Sequence, residues 1–194
     1  MDKRQFLLSG AVSAVAPTVV AAAASTARTG PGLLTVAGAI TRSNRGAIDP
    51  ALDQLLLKHG RTFDKAWEFD SAMLARLPVV TIQPTLEYDA RPHKLSGPLL
   101  TSVLGAAGVA AGAAVTLTLR AIDGYAVGVS LADASRYRMI VATAVDGVPM
   151  SLGGLGPLWA VYDADRVPEF ADKPLKQRFA LSPWGLYCIE VKAA

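Results

Sequence analysis

The side chains able to carry chemistry are few, and most stand apart from one another. Two histidines, His59 and His93, and a single cysteine, Cys188, are scattered over 194 residues. They show none of the Cys/His spacings that build a metal site. His59 follows an apolar-periodic stretch, where an imidazole at a helix C-terminus suits the dipole and reads as structural. His93 lies in a polar loop and is a candidate ligand contact. Cys188 sits in the apolar strand pattern "GLYCIEV"; it reads as a buried small hydrophobe with no catalytic role. Asp123, Asp146, Asp163 and Asp165 fall at turns and read as solvated turn residues. No Gly-x-Ser-x-Gly, no phosphate-cradling Gly-x-x-x-x-Gly-Lys and no helix-opening Gly-x-Gly-x-x-Gly occurs. What remains is "DGVPMSLGGLGPLWAVY", residues 146–162, in which Gly153, Gly154 and Gly156 precede Trp159 and Tyr162. This loop runs from strand to strand, so it lacks the helix N-terminus that holds a pyrophosphate. It is either a plain hairpin connection or a backbone bent to approach a ligand.

The elements that would position these residues follow from periodicity and punctuation. "LLTVAGAI" (33–40) predicts a strand bounded by Gly32. "IDPALDQLLLKHG" predicts a short helix with Asp49 as N-cap, Pro50 in the first turn and Gly60 as the stop. Asp70 is expected to cap a second helix, "SAMLAR", which Pro78 ends. "VVTIQ" (79–83) is the next strand, and a helix from about Pro98 is closed by Gly108. "AVTLTLRA" alternates at period two and pairs with "YAVGVS" across the turn Asp123-Gly124. "YRMIVATAVDGVPM", "PLWAVY" and "GLYCIEVKA" supply the remaining strands. About seven strands and three short helices make a single α+β domain, 33–194, with a mixed sheet or barrel.

With 52% hydrophobic and 18% charged residues the chain can bury a proper core. Asp2, Lys3 and Arg4 together carry +1 of the formal +3, leaving +2 without them. No stripe of Lys and Arg marks a nucleic-acid surface. Residues 1–24 have a basic start (Lys3, Arg4), an apolar stretch and an Ala-rich end, the layout of a secretory signal peptide. Polar interruptions make the stretch too weak for a spanning helix. Lys3-Arg4-Gln5-Phe6-Leu7 is similar to a twin-arginine signal with one Arg replaced, so either that route or export of an unfolded chain is expected. No Cys follows, which argues against a lipid-anchored leader. Residues 25–32 read as a small-residue linker, and the expected location is the periplasm.

Six stretches occur in an order that resembles a known family. They are "FDSAMLARLP" (69–78), "TIQPTLEY" (81–88), "LSGPLLTSVLGAAG" (95–108), "YAVGVSLAD" (125–133), "DGVPM…GPLWAVY" (146–162) and "WGLYCIEV" (184–191). Together they are similar to the molybdopterin-binding domain of the sulfite oxidase family, in its small exported single-domain form, over about Leu33 to Val191. The resemblance implies that family's mixed α+β fold. It also implies a Cys thiolate on molybdenum after the strand matching "VVTIQ", but Pro84 stands at that place here. Proline offers the metal no donor, and a soft thiolate is what that chemistry requires.

Some small exported relatives resemble non-catalytic periplasmic pterin-binding proteins, which report pterin status to a membrane-bound enzyme of cyclic-di-GMP metabolism. Their aromatic after the missing Cys corresponds to Tyr88. Where their pattern has Asn-Asp before a Tyr, this chain has Asp123-Gly124, and Leu152-Gly153-Gly154 replaces a charged pair. The resemblance implies a site for a flat, polar-edged pterin, free or reduced, held by an aromatic face and a few rim donors and acceptors. Gly153, Gly154, Gly156, Trp159 and Tyr162 are expected on one side, with Tyr88, Thr85 and His93 on the other. Arg91, Arg138 or Arg178 could neutralise a phosphate on the ligand. Trp159 fits core packing and pocket lining equally, and Trp184 is expected in the core. The alternatives are a molybdopterin-dependent oxidoreductase whose metal is held by the cofactor dithiolene alone, and a scaffold with a vestigial pocket.

Overall fold

A computed structural model describes residues 29–193. The expected signal peptide, residues 1–24, and the first half of the linker lie outside the described residues. Strand β1 (Leu34–Gly38) is followed by α1 (Gln54–Lys58), β2 (Ala66–Phe69), α2 (Ser71–Ala75), β3 (Val79–Ile82) and β4 (Leu95–Pro98). Then come α3 (Leu100–Ala106), β5 (Val115–Ala121), β6 (Ala126–Ser130) and α4 (Leu131–Arg136). β7 (Ile140–Ala142), β8 (Ala144–Val145), β9 (Val148–Pro149), β10 (Trp159–Val161), α5 (Pro168–Ala171), a single 3-10 turn (Leu175–Gln177) and β11 (Leu186–Ala193) complete the order.

Three sheets form, with strand orders β2-β1-β11-β5-β6, β3-β4-β8-β9 and β10-β7. In the large sheet only β1 and β11 run parallel. The domain is mixed α+β with short helices, and its sheets stay open, so the expected alternative of a barrel is not realised among the described residues. None of the described helices is long and apolar enough to cross a membrane.

The alternation expected in β5 is present: Leu117 and Leu119 are fully buried while Thr116 points to solvent. β11 departs from simple alternation. Its register against β5 shifts between Leu186 and Cys188, and such a bulge lets consecutive residues face one side. Tyr187 and Cys188 accordingly join Leu56 of α1 in a small satellite core, while Leu186 and Ile189 enter the main one. Burial pushes the Cys188 thiol up to about 12, which leaves it protonated and inert. His59, the C-cap of α1, shares a 2.6 Å hydrogen bond with the Tyr187 hydroxyl.

Asp70 caps α2 by accepting from Met73 N–H at 2.7 Å, and it also accepts from Thr29 N–H at 2.7 Å and Gly30 N–H at 3.0 Å. These donors, Met73 first, hold its carboxyl down at about 2. One side chain therefore starts a helix and anchors the chain's entry into β1. The α1 region is shorter than expected: Asp49 caps only a turn, accepting from Ala51 and Leu52 N–H, and the helix begins at Gln54.

Candidate functional site: an aromatic cavity

A cavity of about 390 Å³ opens where the β3–β4 loop, the β5–β6 turn and the segment before β11 meet. Trp159 forms its floor and is 1% exposed. Its indole N–H donates to the Ser182 carbonyl at 2.9 Å, and its ring lies 6.0 Å from that of Phe179. Both partners belong to the segment leading into β11, so β10 and that segment hold each other in place. A bridge between Trp159 and Trp184 continues the pairing.

The walls are aromatic and open. Tyr88 is 57% exposed and Trp184 is 41% exposed, unusual for side chains of that size. Tyr125 lines the cavity as well, and its hydroxyl donates to the Ala180 carbonyl at 2.8 Å. The turn that carries it is shaped by Asp123, whose carboxylate accepts from Tyr125 N–H at 2.9 Å. Glu87, Asp123 and Lys176 supply charge at the rim. Burial, then the charge of Glu87, raises the Tyr88 phenol above its ordinary value, while the nearby Trp184 indole offsets part of this. Tyr88 therefore stays a neutral donor at physiological pH.

Of the residues expected to line a ligand site, Tyr88 and Trp159 meet here. Tyr162 does not. It is fully buried among Tyr137, Phe170 and Phe179, its hydroxyl donates to the Arg178 carbonyl at 2.6 Å, and burial pushes it up to about 12. Thr85 is pinned through its backbone, its N–H donating to Asp165 at 2.7 Å. His93 is clamped between two carboxylates, Asp146 at 2.7 Å through Nδ1 and Asp89 at 2.9 Å through Nε2. Gly153 and Gly154 lie on an exposed turn away from the cavity. Gly156 is packed so tightly on Met150 that a Cβ would come within 2.5 Å of it. The three glycines thus take no part in the lining of the aromatic cavity. Their loop reaches the site only from behind, where the Leu155 carbonyl accepts from Gly185 N–H at 3.2 Å, next to Trp184.

Trp184, expected in the core, is instead a wall of the cavity, and Tyr125, Glu87, Lys176, Phe179 and Ser182 were not expected there. Trp184 sits in "SPWG", between turn formers rather than in a strand, and Tyr125 directly follows Asp123-Gly124. A large aromatic at a turn has little core to enter, and that was the signal available. Among the three arginines considered for a phosphate, Arg178 is committed to Asp165 at 2.8 Å and to the Lys173 carbonyl. Arg91 and Arg138 lie outside the aromatic cavity.

Pro84 is buried just after β3, and its carbonyl accepts from His93 N–H at 3.1 Å. No protein-family model matches the chain, and no curated protein is found to be similar to it.

Proposed function

We propose that this chain is an exported, non-catalytic pterin-binding protein with a sulfite oxidase-type molybdopterin-binding fold. The observation that carries the reading is the open pair Tyr88 and Trp184 above the buried Trp159, with the carboxylates of Glu87 and Asp123 at the rim. A pterin is a flat heterocycle with N–H donors along its pyrimidine edge. Aromatic faces would take the ring, and a carboxylate would accept from that edge. The cavity volume, about 390 Å³, suits a ligand of this size.

Molybdenum does not fit the residues present. Pro84 brings no sulfur to the end of β3, and Cys188 is a protonated thiol packed with Leu56 and Tyr187 in the satellite core. A metal-dependent oxidoreductase is therefore the weaker reading. The proposed partner, resting on the resemblance alone, is the periplasmic domain of a membrane-bound cyclic-di-GMP signalling enzyme.

Quenching of tryptophan emission by a reduced pterin tests the ligand. Saturable binding is expected, and Trp184→Ala should weaken it roughly 5- to 150-fold, matching about 1–3 kcal/mol for one lost stacking partner. Absence of saturable quenching in the wild-type protein would remove the proposal.

A further inference from the structure

A second cavity, of about 410 Å³, lies between β3, the C-terminal end of α4 and the turn that precedes α5. Its chemistry is unlike that of the aromatic cavity. Lys94, Arg136, Arg138 and Arg166 line it, against one carboxylate, Asp163. Two of these cations are already engaged. Arg136 is held by Asp133 and Glu169, and Arg166 lies 3.5 Å from Asp163. The ammonium of Lys94 and the guanidinium of Arg138 make no hydrogen bond or ion pair with another described residue, although both border the cavity.

Arg138 is also unexpected on backbone grounds. Helix α4 ends in a Schellman motif: Met139 N–H donates to the Ala134 carbonyl and Arg138 N–H to the Ser135 carbonyl, each at 3.0 Å. The residue in position 138 must then be left-handed, and its φ is 51°. Glycine is the residue this position favours, because a Cβ is strained there. The chain instead carries an arginine at that point, and its side chain borders the cleft without an ion pair to the Asp163 carboxylate there. Residues kept in strained conformations concentrate at functional positions.

We infer that this basic cleft is a binding site for a phosphate-bearing small molecule, separate from the aromatic cavity. Arg138 supplies a planar fork suited to two phosphate oxygens, and Lys94 supplies a point charge at the same cleft. Arg136 and Arg166 add a positive field weakened by their own carboxylates. The site does not depend on the aromatic cavity holding a pterin, since none of its lining residues is shared.

Thermal unfolding of the full chain in a titration with inorganic phosphate, at constant ionic strength, tests the inference. The wild-type protein should gain a saturable rise in Tm. Arg138→Gly should keep or raise the Tm without phosphate, since it relieves the backbone, yet weaken the apparent phosphate affinity at least tenfold. Lys94→Gln should weaken it by a smaller factor, and Trp184→Ala should leave it unchanged. Lack of a saturable rise in the wild type, or an unchanged affinity in Arg138→Gly, overturns the inference. So does a rise given by poly-glutamate but not by phosphate, which would assign the cleft to an acidic protein segment. An equal loss in Trp184→Ala would merge the two sites and overturn their separation.

Discussion

The aromatic cavity and the basic cleft are served by one short run of chain. Gln83 borders the cleft, and Glu87 and Tyr88, four and five residues later, border the cavity. Between them Thr85 is fastened to Asp165, and Gln83 N–H points to Asp163 at 3.4 Å. The two places differ in what they leave unsatisfied. The cavity exposes large apolar rings, whereas the cleft gathers four cations against the single carboxylate of Asp163. Unsatisfied apolar area favours a flat, weakly hydrated ligand, and unsatisfied charge favours a strongly hydrated anion. The difference teaches that two adjoining hollows of nearly equal volume need not be two halves of one site.

The comparison can be broken most sharply at Trp159. It is the cavity residue with least exposure, so Trp159→Ala should lower stability by about 3–5 kcal/mol, read from urea unfolding. A loss below about 1 kcal/mol with pterin affinity abolished would make Trp159 a ligand contact rather than a floor, and the cavity would have to be redrawn around it.

A second test concerns the clamp that holds the loop carrying Tyr88. Hydrogen bonds that His93 donates to Asp146 and Asp89 raise its pKa above the ordinary value, and the same bonds lower both carboxyls. The folded His93 pKa exceeds the unfolded value, about 6.5. The clamp's contribution is therefore complete below about pH 6.5 and fades as pH rises through the folded pKa. At the acidic end it fades as the carboxyls protonate, below their ordinary range. The Tm difference between wild type and His93→Gln should be largest near pH 5–6 and shrink by pH 9. A difference independent of pH would mean that His93 is held neutral and the clamp is not ionic.

The smallest effect is expected at Gly154, where a Cβ would make only an ordinary contact with Ser151. Gly154→Ala should alter stability by less than about 0.5 kcal/mol and pterin affinity by less than about twofold. A large loss of affinity would return the glycine loop to the binding site.

Much of the architecture was legible in local chemistry. The Asp70 cap, the Asp123-Gly124 hairpin, the Gly108 stop and the alternation along β5 are each decided by neighbouring residues, and each is present. β2 is illegible in the sequence because "AWEF" is buried on both faces, which erases alternation. β4 was hidden by Gly97 and Pro98, residues that ordinarily argue against a strand. Gly97 is needed there because a Cβ would collide with the Val141 carbonyl of β7. The site was less legible for a related reason. Glycines that make room for a ligand and glycines that make room for Met150 look alike in a sequence, and only packing tells them apart. Likewise Trp159 and Trp184 bridge one another, yet one faces inward and the other outward.

The parallel pairing of β1 with β11 has a consequence for biosynthesis. The strand at the middle of the large sheet is also the last of the described strands to leave the ribosome. Until it arrives, β1 and β5 have no common neighbour and the sheet is two separate pieces. In a nascent chain the large sheet would then stay divided, its β2-β1 and β5-β6 pairs apart, until β11 slides between them.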